Sequence, residues 1–320
     1  MQARHAAAEA PIPYIDAATI RGATPMRPLI AALREAFAQA GHDAGPERQA
    51  FGLQDDVSLL VMPALGVGAA GVKIVTVNPE ARPAVTGIFL LIDGTDGRPL
   101  ALLDATMLTP RRTAAASALA SGLLARKDAR TLLMVGTGTL SHHLVEAHSA
   151  VRDLDKVLIW GRSADRAAAV ADELRASGFP ASSISNLDRA VGEADIISVA
   201  TLSTAPLIKG DLLKPGTHVD LVGAFKPTMC EADPQCFARA QVFVDTREGA
   251  LTEAGDLLQA IDRGYFRADA IAADLAELCA GNGNWRTGDS TITLFKSVGA
   301  AIEDLAAARF IARETGHLEA

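Results

Sequence analysis

Several things are scarce in this chain of 320 residues, and each scarcity removes a class of function. Cysteine occurs three times, at Cys230, Cys236 and Cys279. The number is odd and no C-x-x-C occurs, so neither a disulfide framework nor a zinc site is expected. A reducing cytosol fits best. Aromatic residues make up 4%, too few for a surface that stacks the bases of a single strand. Positive charge is outnumbered: 30 Lys and Arg against 38 Asp and Glu leave a net charge of −8, with no basic cluster. This argues against nucleic acid and anionic membranes as partners. A local positive pocket is still allowed, because net charge does not describe a pocket. Long hydrophobic runs are missing too. The longest, Val57 to Val72, is interrupted by Pro63, Gly66, Gly68 and Gly71 and is too short for a bilayer. The opening MQARHAAAEAPIP lacks the apolar centre of a signal peptide. The expectation is a soluble cytoplasmic protein with no membrane partner.

What is present is aliphatic. Hydrophobic residues reach 49% and charged residues 21%, enough apolar material for more than one core, and the length suggests two domains. Residues 25–40 carry apolar residues at helical spacing. Short β-like runs follow at Val57–Met62, Gly71–Val77 and Ile88–Asp93, then a turn at 93–100 and a return strand at Leu100–Asp104. Thr109 followed by Pro110 reads as the start of a helix running to about Leu124. From there strand and helix alternate. Strands are expected at Thr131–Val135, Lys156–Trp160, Ser182–Ser185, Ile196–Ala200, His218–Val222 and Gln241–Val244. Helices are expected at His142–Val151, Ala164–Ser177 and Leu187–Gly192, with a last one at Ser297–Glu314. Alternation predicts an α/β fold: a doubly wound parallel sheet of Rossmann type, beside an α+β domain built from the first third.

Gly136-Thr137-Gly138-Thr139-Leu140-Ser141 follows an apolar strand and opens a helix. Gly136 permits a tight turn, Gly138 lets the backbone approach a pyrophosphate, and small Ser141 permits close packing of helix on strand. The free amides and the dipole of the helix N-terminus face the phosphates. With the flanking strands in place, this is a dinucleotide site. The second strand ends in Gly161-Arg162-Ser163, with Arg166 one turn on. An acid there would accept from a ribose 2′-hydroxyl. A guanidinium and a hydroxyl instead suit a 2′-phosphate, so NADPH is the expected cofactor, with NADH accepted more weakly.

Six segments carry a family resemblance: Gly71-Val-Lys73-Ile-Val-Thr, Leu108-Thr-Pro-Arg-Arg112-Thr-Ala-Ala, Gly136-Thr-Gly138, Pro215-Gly-Thr-His218-Val, Glu253-Ala-Gly-Asp256 and Thr293-Leu-Phe-Lys-Ser297-Val-Gly. Through them the chain resembles the ornithine cyclodeaminase/mu-crystallin family over nearly its whole length. The resemblance implies a homodimer. Its substrate-binding and dimerisation domain would span 1–118, completed by a C-terminal helix over 300–320, and its Rossmann domain 119–299. It also implies that Arg48, Lys73 and Arg112 hold a substrate carboxylate. Chemistry agrees, since a small carboxylate needs a cationic clamp and a guanidinium can bind both oxygens. Lys73 lies in an otherwise apolar strand, where a charge is costly without a partner or a task. Arg112, read near a helix start, sits against the dipole. The expected cofactor contacts are Gly136, Thr137, Gly138, Thr139, Leu140, Gly161, Arg162, Ser163 and Arg166, with Ala200, Thr201, Val222, Ser297 and Arg112.

The family spans several chemistries. Its cyclodeaminases carry a catalytic Asp just after a Val-Gly-Gly, where this chain has Val222-Gly223-Ala224-Phe225. Phe225 cannot act as acid or base, and Asp220 lies inside the strand. Absence of an acid after the second strand points the same way. The stretch from Asp220 to Met229 is similar to the Δ1-pyrroline-2-carboxylate/Δ1-piperideine-2-carboxylate reductases of the family. The function expected is therefore NADPH-dependent reduction of small cyclic imino acids to L-proline and L-pipecolate, with Lys73 or a water as proton donor. Alternatives are a cyclodeaminase lyase, an amino-acid (alanine) dehydrogenase, and a non-catalytic NADPH-binding protein like mu-crystallin. His142 and His143 read as surface residues near the phosphates, and His148 and His218 as structural. Glu253 and Asp256 form a recurring motif with no step assigned, and Thr293 and Ser297 are expected to line the nicotinamide pocket. No metal is expected.

Overall fold

The computed structural model describes residues 11–40, 48–54, 56–78, 80–81, 83–281 and 285–318. The first part of the chain runs β1 (Tyr14–Ile15), α1 (Ala17–Ala23), α2 (Met26–Ala40), β2 (Gln49–Gly52), β3 (Ser58–Gly66), β4 (Ala69–Val77), β5 (Val85–Asp93), β6 (Pro99–Asp104) and α3 (Ala105–Leu124). Its sheet has the order β1-β6-β5-β4-β3-β2. The strands are antiparallel except for β1, which runs parallel to β6. Alternation sets the faces. In β4, Gly71, Lys73 and Val75 are buried while Val72 and Ile74 point the other way. Pro63 lies in β3 opposite Val72 of β4, and among the described residues the pairing of β2 with β3 reaches only to Val61.

The second part runs β7 (Thr131–Val135), α4 (Leu140–Val151), β8 (Lys156–Trp160), α5 (Ala164–Ala176), β9 (Ala181–Ser183), α6 (Leu187–Glu193), β10 (Ile196–Val199), β11 (His218–Leu221), α7 (Pro234–Arg239), β12 (Gln241–Val244), α8 (Arg247–Glu253), α9 (Gly255–Asp262), β13 (Ala273–Asp274), α10 (Leu275–Ala280), β14 (Thr293–Lys296) and α11 (Ala301–Glu314). Its strands form a parallel sheet in the order β13-β12-β14-β11-β10-β7-β8-β9. These short strands are buried almost throughout, as expected of a sheet covered on both faces. The fold is the expected α/β arrangement. Strand β14, unread in the sequence, enters the middle of the sheet between β11 and β12.

Helix α3 packs on both sheets and on α2, α4 and α11. It is buried nearly all round, which its run of alanines permits: small side chains let neighbouring helices approach from every side. Two expectations change here. Thr109 is not the cap. Asp104 is, its carboxylate accepting from the Met107 amide at 2.9 Å, and Pro110 sits inside the second turn. Arg112 is therefore eight residues into the helix (105 to 112), beyond the strongest part of the dipole. The last helix also begins later than Ser297. Gly299 has φ 88°, outside the helical region, so residues 297–300 form a loop and α11 starts at Ala301. Residues 319–320 of the expected 300–320 segment lie outside the described residues. Among the described residues no helix is long and apolar enough to cross a membrane.

Candidate active site

Lys73 and Arg112 meet where the final helix returns to the first sheet. Lys73 lies on the covered face of β4, in register with Met62 and Phe89, and is 2% exposed. Its Nζ is 2.6 Å from Asp304 Oδ2. The Arg112 Nε donates to Asp304 Oδ1 at 2.9 Å, and its NH1 donates to Glu303 Oε2 at 2.5 Å. Glu303 also accepts from the Ala300 amide with its other oxygen, as part of the cap of α11. The loop before α11 is fixed by Asp245, whose Oδ2 accepts from the amides of Val298 and Gly299, both at 2.7 Å. Arg48 reaches the same loop, with its NH2 3.4 Å from the Val298 carbonyl. Its guanidinium engages both carboxylate oxygens of Glu253, Nε donating to Oε1 at 2.6 Å.

Each expected substrate cation thus has an acidic partner within the protein. The burial argument for Lys73 is answered by Asp304, which neutralises it. Its pKa still falls to about 8, because burial and the Arg112 charge outweigh Asp304. Burial works against the charge on Arg112 as well, yet Asp304 and Glu303 overcome it and raise its pKa. Burial pushes Glu303 up to about 7, with Asp245 adding to the rise and Arg112 opposing it. The cluster holds three cations and four acids.

The nucleotide residues lie along the carboxyl ends of the parallel strands, where open α/β sheets take ligands. Gly136 has φ 125°, and a Cβ there would stand 2.4 Å from the Ala200 carbonyl oxygen, so only glycine allows the turn out of β7 to pass the end of β10. Gly138 faces open space. Thr139 makes no side-chain cap to α4; the Ser141 amide donates to the Gly138 carbonyl at 3.1 Å, and the positive end of the helix dipole faces the glycine turn. Gly161 packs against Thr137, linking the ends of β8 and β7. Ser163 caps α5, accepting from the Arg166 amide at 3.3 Å. Arg162 and Arg166 are exposed, and among the described residues neither has an ion pair. This arrangement fits a dinucleotide. Thr201 and Val222 follow β10 and β11, and the Ser297 amide donates to the Leu221 carbonyl at 3.1 Å at that same end.

Other expectations move. Thr293 opens β14 and is bonded to His218 Nδ1 at 2.9 Å. That is the amino end of the sheet, so Thr293 cannot line a nicotinamide pocket. His143 is not a surface residue. It is 4% exposed beside Arg111, and burial followed by the Arg111 charge takes its pKa down to about 4. His142 pairs with Glu173 at 2.8 Å on α5. His148 is fully buried against Asp220, which also accepts from Ser198 at 2.7 Å. Asp220 therefore belongs to the interior of the sheet. Phe225 is half-buried, with Lys226 Nζ 5.9 Å from its ring. Glu253 and Asp256 face different partners: Arg48 for the first, and the Glu231 and Ala232 amides with Lys296 for the second. Asp245, Glu303, Asp304 and Arg111 escaped the sequence reading. Consecutive acids at a helix start favour the dipole and carry no other local signal. Arg111 is a buried clamp whose guanidinium donates to the Thr24 carbonyl and hydroxyl and to Glu146. Among the described residues no group of His, Cys, Asp and Glu could hold a metal ion.

Comparison with known proteins follows the same lines. The model of the ornithine cyclodeaminase/mu-crystallin family matches residues 15–317. A Δ1-pyrroline-2-carboxylate reductase of Bacillus cereus is 41% identical over 260 residues, covering 79% of this chain and 80% of that protein. The solved Δ1-pyrroline-2-carboxylate reductase of Thermococcus litoralis, in complex with NADH and L-proline, superposes with a TM-score of 0.90 at 30% identity, covering 95% of this chain and 97% of that one. An archaeal alanine dehydrogenase dimer with bound NAD superposes with a TM-score of 0.88 at 28% identity, over 95% and 96% of the two chains.

Proposed function

The chain belongs to the ornithine cyclodeaminase/mu-crystallin family as an NAD(P)H-dependent oxidoreductase of C=N bonds, and we propose that it reduces small cyclic imino acids with NADPH. The substrates are Δ1-pyrroline-2-carboxylate and Δ1-piperideine-2-carboxylate, and the products L-proline and L-pipecolate. The observation that carries this reading is the cluster of buried Lys73 and Arg112 with half-buried Arg48, drawn from three separate parts of the chain and facing the loop that leads into α11. A planar α-imino carboxylate fits such a clamp, which can bind both carboxylate oxygens and fix the ring.

When bound, NADPH supplies the hydride to the imine carbon. Everything else falls to the chain. Arg112 and Arg48 take the carboxylate, Arg48 exchanging its partner Glu253 for the ligand. Lys73 is protonated below about pH 8 and holds the proton that the imine nitrogen gains as the carbon receives hydride. Asp304 orients the Lys73 ammonium. Gly136 to Leu140 hold the pyrophosphate, and Arg162, Ser163 and Arg166 the 2′-phosphate. NADH lacks that phosphate and is bound more weakly.

The domain division at 118/119 belongs to this proposal, with α3 as the helix common to both cores. So does a homodimer. The outer face of the first sheet carries Leu65, Val72, Ile74, Ile88, Leu90 and Ile92, of which Leu65, Ile74 and Ile88 are exposed. A continuous apolar sheet face of this kind is one a second copy would cover. Cys230, Cys236 and Cys279 are free and buried, in keeping with a reducing cytosol.

A second reading has a specific support, the likeness to an alanine dehydrogenase. The same cations would hold an open-chain imino acid. The experiment that separates the readings mixes the protein with NADPH and either Δ1-pyrroline-2-carboxylate or pyruvate with ammonia, and follows NADPH absorbance. Oxidation with the cyclic imine and little with pyruvate supports the proposal. No oxidation, with ammonia released from ornithine, would overturn it in favour of a lyase.

A further inference from the structure

One buried carboxylate fastens together two loops at the cofactor end of the parallel sheet. Glu231 lies in the segment between β11 and α7 and is 0% exposed. Its Oε1 accepts from the Thr201 amide at 2.6 Å and the Thr201 hydroxyl at 2.8 Å. Its Oε2 accepts from the amides of Gly223 at 2.7 Å and Ala224 at 3.2 Å. Thr201 follows β10, and Gly223 and Ala224 follow β11, the neighbouring parallel strand. The two loops lie so close that a Cβ on Gly223 would stand 2.1 Å from the Thr201 carbonyl oxygen and 2.4 Å from Glu231 itself.

Glu231 is held in turn. Asp256 Oδ1 accepts from the amides of Glu231 at 2.5 Å and Ala232 at 3.0 Å. Lys296, the last residue of β14, lies 3.3 Å from Asp256 Oδ2 and donates to the Leu221 carbonyl at 3.2 Å. Three adjacent strand ends are therefore tied through one chain of buried charges. A carboxylate that accepts four hydrogen bonds, three from backbone amides, fixes its donors more firmly than neutral partners would. Burial pushes the Glu231 pKa up to about 7 against the pull of Lys296, so in alkaline solution the group is ionised.

Strand order says what these loops face. The glycine turn follows β7, and the arginines that suit a 2′-phosphate follow β8. Strands β10 and β11 lie on the other side of β7. A dinucleotide crosses the sheet at this reversal of strand order. With its phosphorylated ribose at β8, its nicotinamide half lies toward β10 and β11.

We propose that Glu231 is a positioning residue for the nicotinamide half of the cofactor, acting through the backbone of Thr201, Gly223 and Ala224 without touching the cofactor itself. This rests on the dinucleotide reading above. Glu231→Gln tests it, because the amide keeps the size of the side chain but turns an NH2 toward N–H groups that need an acceptor. Calorimetry measures binding of NADPH and of 2′-phospho-ADP-ribose, which lacks nicotinamide. The expected result is an NADPH affinity lowered roughly tenfold while 2′-phospho-ADP-ribose changes by less than about twofold. Unchanged NADPH affinity, or equal weakening of both ligands, would overturn the proposal, since a merely structural role would move both. If Glu231→Gln does not fold, Thr201→Val decides: it removes one of the four hydrogen bonds and should weaken NADPH selectively, and no selective loss sinks the idea. If the unaltered chain binds neither ligand, it is the dinucleotide reading that has failed.

Discussion

Lys73 Nζ stands 2.6 Å from Asp304 Oδ2, in a pair 231 residues apart in the chain and closed off from solvent on both sides. One carboxylate of the last helix thereby holds a lysine of the first sheet, and with its other oxygen it holds Arg112 of α3. Three elements that the sequence separates are joined at one side chain.

Removing that side chain should cost stability before it costs chemistry. Asp304→Ala leaves two buried cations short of a partner, and breaking a buried pair destabilises by about 3–5 kcal/mol. Urea unfolding should show a lower midpoint with an unchanged slope. Adding Lys73→Met to Asp304→Ala removes one orphaned charge and should recover part of the loss. A double variant as unstable as the sum of both changes would mean that the pair does not interact.

Activity should follow the Lys73 proton. Its folded pKa, lowered to about 8 by burial and by Arg112, leaves the ammonium present below that pH and lost above it. The kcat/KM for Δ1-pyrroline-2-carboxylate should therefore fall as pH rises through about 8, with unit slope. Lys73→Ala should abolish turnover while NADPH affinity by calorimetry stays nearly as it was. A flat alkaline limb in the unaltered enzyme would remove Lys73 as the proton donor.

The parts legible in the sequence were those with a local signal. Thr131 to Ser163 gave strand, turn, helix and strand because apolar runs and glycines punctuate them. The helix over 26–40 showed through its 3.6-residue period. Strand β14 did not, since four buried residues with Lys296 among them resemble neither an amphipathic strand nor a helix. Its place is set by its neighbours β11 and β12. Lys73 and Arg112 drew attention as charges in costly positions, but their partners Glu303 and Asp304 read as ordinary helix-start acids. Glu231 carries no signal, because what it does depends on two loops meeting. Thr109-Pro110 misled because Asp104, five residues earlier, competes for the cap and wins with a hydrogen bond to Met107.

The outer face of the first sheet gives a prediction about assembly. Ile74 and Ile88 face each other across β4 and β5 and are 39% and 36% exposed. If a second copy covers this face, as proposed, a lysine at either position would be stranded in an apolar interface. Ile74→Lys should shift the light-scattering mass from that of a dimer to that of a monomer, with the far-ultraviolet spectrum retained. If the unaltered protein is monomeric at micromolar concentration, the sheet face has some other use.

In the proposed reading, cofactor choice turns on the end of β8. Arg162 and Arg166 are exposed and free of ion pairs among the described residues, while Ser163 is already engaged as the cap of α5. As that cap the Ser163 hydroxyl accepts, so its O–H stays free to donate to a 2′-phosphate, and the two guanidinium groups would supply the charge. Arg162→Asp replaces a cation with an anion at one of these two positions. A charge-assisted hydrogen bond contributes about 1.5–3 kcal/mol, so NADPH should weaken by roughly ten- to hundredfold from its loss alone, with repulsion adding to that. NADH has a 2′-hydroxyl, which an aspartate can accept from, and should hold its affinity or gain. The ratio of kcat/KM for the two nucleotides is the measurement. A ratio that does not move would mean that Arg162 is a solvated surface residue and that the preference must come from Arg166. Arg166→Glu then becomes the deciding variant, and no change there would withdraw the preference for NADPH altogether.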